Sequence, residues 1–206
     1  MEQCTFARRF RPWETAALLA LSLCLCAGVW AQARQNGISS SLVRLHVVAV
    51  SDAPEEQALK LRVRDAVLAY LSGELDAAAD AAQARALLGE HLPEIAQAAA
   101  SAAEGRSVQV SLRRESYPTR DYGGLLLPAG RYTSLRVVLG EGQGHNWWCV
   151  VFPPLCLSAV ETEPLRSTMG RQDYALVTEE PGTRLAFRTV ELWGELVEAV
   201  ERRTGA

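Results

Sequence analysis

His145-Asn146-Trp147-Trp148-Cys149 places a thiol and an imidazole in one short run. A thiolate beside a histidine is the pairing of a nucleophile with its base. Along an extended strand, however, four residues span about 13 Å, at roughly 3.3 Å each, so proton transfer would need a bend. A second cysteine, Cys156, follows after Val-Val-Phe-Pro-Pro-Leu. A reversal at Pro153-Pro154 would bring the two Cβ atoms within bridging range, and a disulfide is the expected fate of Cys149 and Cys156. Two readings stand: a structural bridge, or a secreted Cys/His hydrolase acting on cell wall or peptide.

The remaining candidates carry less chemistry. His46, His91 and His145 are far apart, with neither His-x-x-x-His nor Cys-x-x-Cys spacing, so no metal site is expected. Gly140-x-Gly142-x-Gly144 precedes a strand. A phosphate cradle would need a helix N-terminus there, so the glycines read as a hairpin turn. There is no Gly-x-Ser-x-Gly elbow. These residues imply no catalytic group and no cofactor.

The elements that would position this run start after an N-terminal leader. Arg8, Arg9 and Arg11 precede an apolar run from Ala16 to Trp30, and Ala31-Gln32-Ala33 supplies a small-x-small motif. This is the three-part pattern of a cleavable signal peptide over residues 1–33, with cleavage expected just before Arg34. An uncleaved anchor is the competing reading. Export would remove Cys4, Cys24 and Cys26 and leave Cys149 and Cys156 in an oxidising setting.

Residues 34–41 read as a Ser/Gly/Asn linker. Leu42–Val50 alternates as a half-buried strand, with Val43, Leu45 and Val47 inward and Arg44 and His46 outward. Asp52 as N-cap with Glu55 predicts a capped helix whose wet side carries a Glu56–Lys60 pair. Ala-rich helices follow from Asp80 to Leu88 and from Pro93 to Glu104. Alternation at Val108–Leu112 predicts a strand, Tyr132–Leu139 reads as another, and Trp147–Phe152, aromatic on both faces, as a third that is central or covered. Tyr117–Gly124 reads as loop. Phe187, Val190, Trp193, Val197 and Val200 predict an amphipathic helix in the variable segment 158–206. The expected fold is α+β, a mainly antiparallel sheet with helices packed on one face.

With 206 residues, 49 % hydrophobic, 22 % charged and a net charge of −3, the chain is globular, and its acidic balance argues against a nucleic-acid partner. Its cations are almost all arginine, Lys60 being the single lysine.

Three blocks resemble the stage II sporulation protein R family. They are Ser51-Asp52 with Leu61-Arg62-Val63-Arg64-Asp65-Ala66-Val67, then Tyr117-Pro118-Thr119-Arg120-Asp121-Tyr122-Gly123 with Pro128-Ala129-Gly130-Arg131-Tyr132, and above all Gly144 to Cys156. The resemblance covers about 42–157, the expected core domain. Val50 departs from it, standing where the family pattern has Asn. The resemblance implies a non-enzymatic signal secreted into the space between forespore and mother cell. There it would activate a membrane-embedded aspartyl protease, and the precursor of an early mother-cell sigma factor would then be processed. The expected partner surface is His145, Asn146, Trp147, Trp148 and Phe152. Successive tryptophans on a strand face opposite sides, so each needs its own cover.

Overall fold

The computed structural model describes residues 11–122, 125–154 and 177. Its first helix, α1 (Pro12–Ser40), is long and apolar enough to cross a membrane by length and composition, with a mean hydropathy of 1.9 over its most apolar window. That is also compatible with an export signal. The helix does not stop at Ala33. It continues through the residues expected to be a linker, because Ile38 is buried against the domain and Gln35 Nε2 donates to the Ala129 carbonyl at 2.6 Å. Tertiary contact overrides the Ser/Gly/Asn composition of the segment.

β1 (Val43–Val48) follows directly. Then comes α2 (Pro54–Glu74), with Pro54 in its first position and Val63, Val67 and Leu71 on its buried stripe. Its N-cap is Ala53, with no side-chain cap, and not Asp52 as expected, because the Asp52 carboxylate is drawn elsewhere. The expected Glu56–Lys60 pair is also absent. Lys60 is only 5 % exposed and donates to Gln57 Oε1 and the His145 carbonyl, while Glu56 meets Arg106.

A short 3-10 turn (Leu75–Ala77) leads to α3 (Ala81–Glu90). Asp80 caps α3 by accepting from the Ala82 and Gln83 amides, as its residue type predicts. α4 (Leu92–Ala102) starts with Pro93 in its first turn and ends near Gly105, whose φ of +81° suits a residue without Cβ.

β2 (Val108–Tyr117) is longer than its alternating start suggests. A two-residue ribbon, β3 (Arg120–Asp121) with β4 (Leu126–Leu127), sits where loop was expected. β5 (Gly130–Leu139) and β6 (Asn146–Phe152) complete the main sheet.

The strand order is β2-β5-β1-β6. β1 runs parallel to β5, and the other two pairings are antiparallel, so the α+β expectation holds. β6 lies at an edge of the described sheet, not in its centre.

Val43, Leu45, Val47, Leu135, Val137 and Leu139 form one face of the sheet and pack under α2, α3 and α4. The opposite face is not open either. Ile38, Leu42, Tyr117, Leu125, Leu127, Tyr132, Val150 and Val177 cluster there. Arg44 is therefore completely buried rather than solvent-facing, a correction to the half-buried reading of β1. The expected terminal amphipathic helix lies outside the described residues.

Candidate functional site

Three sequence segments converge on β6. The first is the β1–α2 connection. Asp52 Oδ1 accepts a hydrogen bond from the His145 backbone N–H at 2.7 Å and meets the His145 ring at Nδ1. The backbone bond is the main cause, and the ring bond the next, of a carboxyl held below its usual range. Lys60 Nζ, from α2, donates to the His145 carbonyl at 3.0 Å, so both backbone polar groups of His145 are engaged, one by the β1–α2 connection and one by α2.

The turn between β5 and β6 must come very close for this. The Gly144 amide donates to the Ala49 carbonyl at 2.9 Å, and a Cβ on Gly144 would lie 2.3 Å from the Ser51 carbonyl oxygen. Only glycine fits there.

The second segment is α2, whose Arg64 guanidinium lies 4.4 Å from the centroid of the Trp147 ring. Trp147 remains 36 % exposed on the helix side of the β6 edge. Arg64 also pairs with Asp65 at 2.7 Å, which helps hold it in place.

The third segment is the start of the β3–β4 ribbon. The Arg120 guanidinium lies 4.4 Å from the Trp148 ring centroid, and Trp148 also meets Tyr117 at 6.0 Å and His46 at 5.8 Å. The two tryptophans thus take opposite faces, as strand alternation requires. Each carries an arginine against its ring, an arrangement favoured by the ring quadrupole.

Below Trp148 lies a polar layer. His46 Nδ1 meets Glu115 Oε2 at 2.9 Å, and Arg113 and Arg136 share the other oxygen at 2.8 and 3.5 Å. Burial pushes the Glu115 carboxyl up, but hydrogen bonds from His46 and Ser134 outweigh it and hold it below the usual range. Burial raises the Tyr117 and Tyr132 hydroxyls far above theirs, so both stay neutral.

The sequence-predicted residues separate accordingly. His145, Asn146 and Trp147 are exposed together at the start of β6, and Trp148 is partly covered. Phe152 is 4 % exposed and belongs to the core, so it presents no surface to a partner. A bulge between Val43 and Arg44 turns both Val151 and Phe152 into that core, which simple alternation could not anticipate. Cys149 is buried opposite Leu45, while Cys156 lies outside the described residues.

Asp52 reads from sequence as a helix cap and not as a site residue, and Arg64 and Arg120 carry no separate signal, although each of the three falls in one of the blocks quoted above. Among the described residues, no group of three or more His, Cys, Asp or Glu is placed to hold a metal.

The fold and site define an α+β module in which distant segments support one tryptophan-bearing edge strand. The chain belongs to the stage II sporulation protein R family, whose model matches residues 39–162 and so spans every residue of the site. It is similar to stage II sporulation protein R of Bacillus subtilis (strain 168), 37 % identical over 123 residues, which are 58 % of this chain and 55 % of the relative. The chain thus spans about half the length of the curated relative it matches. No solved structure matches.

Proposed function

We propose that this chain is a secreted sporulation signal and not an enzyme. Exported from the forespore, it acts in the space between forespore and mother cell on a membrane-embedded aspartyl protease. That protease then processes the precursor of an early mother-cell sigma factor. Membership of the family across residues 39–162 carries the reading. The N-terminal apolar helix supports export, either as a cleaved signal or as an anchor.

His145, Asn146 and Trp147 form the receptor-facing surface in this reading. They are exposed and adjacent, and they are braced from behind by Asp52, Lys60 and Arg64. An aromatic side chain held in place before binding loses little freedom on docking, which suits tryptophan to the centre of an interface. The Cys149–Cys156 bridge belongs to the same proposal and would fix the far end of β6. The competing hydrolase reading loses support, because Asp52 rather than Cys149 engages the His145 ring, and Cys149 is buried.

Co-production of this protein, the membrane protease and the sigma-factor precursor in a non-sporulating host tests the reading. Processed sigma factor is expected only when all three are present. Equal processing without this protein would refute it.

A further inference from the structure

Arg44 is 0 % exposed, yet its Nε and Nη1 groups have no hydrogen-bond partner. Nη2 donates to the Tyr122 hydroxyl. Three tyrosine rings surround the guanidinium, with centroids 4.1 Å (Tyr117), 5.0 Å (Tyr132) and 5.5 Å (Tyr122) from its central carbon. Aromatic faces attract a cation but carry no net charge. The Glu115 carboxylate near this cluster is already shared by His46, Arg113 and Arg136. His46 Nε2 and Arg136 Nε are also buried and without partners. Arg44 Nε and Nη1 and Arg136 Nε are thus buried donors without acceptors. A desolvated guanidinium with idle donors costs stability until an anion meets it.

We propose that the face around Arg44 is a carboxylate-binding site, in which an acidic group entering beside Tyr122 takes the idle Nε and Nη1 donors while the tyrosines hold the guanidinium. The ligand is the carboxylate of an acidic peptide segment or a free small carboxylate. Trp148 and Arg120, at the same cluster, offer an apolar and cationic surround to the flanking groups. The site needs no receptor protease, so it stands apart from the signalling reading.

Thermal unfolding of the full-length protein in detergent micelles tests it, with sodium acetate compared against sodium chloride at equal ionic strength. Acetate should raise the wild-type Tm in a saturable way, by about 3 to 6 °C at tenfold excess over Kd. Arg44→Met should lose the acetate-specific shift and should match or exceed the wild-type Tm in chloride, since an apolar side chain of similar length carries no buried charge. Tyr122→Phe keeps the aromatic cage and frees Nη2, so its acetate response should exceed that of wild type. That variant decides the matter if Arg44→Met does not fold. An end-blocked glutamate peptide, with its glutamine counterpart as control, separates the two sources. A larger shift than acetate at equal carboxylate concentration assigns a protein side chain, and an equal shift assigns a small carboxylate. Identical Tm values in acetate and chloride for wild type and Tyr122→Phe, or an acetate shift retained in Arg44→Met, would overturn the proposal.

Discussion

Asp52 and His145, 93 residues apart, are joined by two hydrogen bonds onto one carboxylate oxygen, from the His145 backbone N–H and from its ring. The pair ties the β1–α2 connection to the mouth of β6. It also explains why α2 begins without a side-chain cap, since the residue placed to cap it is engaged across the sheet edge.

The Asp52 carboxyl should titrate below the ordinary value of 3.8, chiefly because of the backbone bond. A lowered folded-state value means that the contact stabilises above the ordinary carboxylate range and that this is lost as pH falls through the lowered value. Carbon-detected NMR titration checks this. In His145→Ala the midpoint should rise only part of the way, because the backbone N–H remains. A full return to the ordinary value would show that the ring, not the backbone, sets the shift.

Gly144→Ala should destabilise the protein by roughly 1–3 kcal/mol, as overpacking against rigid backbone does. The added Cβ would sit 2.3 Å from the Ser51 carbonyl oxygen and 2.9 Å from the Ala49 Cβ, neither of which is the end of a flexible side chain. Denaturant unfolding measures the loss, and an unchanged midpoint would show that the two turns do not pack this closely.

Trp147→Ala and Trp148→Ala should separate stability from signalling. Trp148 packs against His46, Tyr117 and Arg120, so its truncation should cost about 2–3 kcal/mol. Trp147, 36 % exposed, should cost less than about 1 kcal/mol and yet lose activation of the protease. Equal destabilisation of both variants would place the receptor surface elsewhere.

Much of this architecture is legible in the sequence because it rests on local signals. Asp80 caps α3, Pro93 opens α4, and period-two alternation marks β1 and the start of β2. What is not legible rests on long-range choices. Asp52 has the composition of a cap, and only the approach of Gly144 shows that His145 competes for it. Arg44 reads as a wet-face residue because alternation gives the side of a strand but not what covers that side. The same blindness applies to residues 34–40, whose helix depends on Ile38 finding the domain. The Trp147–Trp148 pair was visible as two faces needing two covers, but neither Arg64 nor Arg120 could be chosen as cover without the fold.

If Cys149 and Cys156 form a bridge, Cys149→Ser and Cys156→Ser should be equally destabilising. A closed loop of about eight residues is worth roughly 2.5 kcal/mol on the chain-entropy model. Thermal unfolding under non-reducing and reducing conditions checks this, with the reduced wild type falling to the level of the variants. Loss of function in Cys149→Ser alone, with the fold intact, would instead favour a reactive thiol.

The central claim is that this protein is the signal for sigma-factor processing, delivered through the start of β6. The most direct measurement is immunoblotting of the sigma-factor precursor during sporulation in a strain deleted for this gene. The deletion should leave the precursor intact, the wild-type gene should restore processing, and Trp147→Ala, exported in equal amount, should not. Normal processing in the deletion strain would contradict the claim.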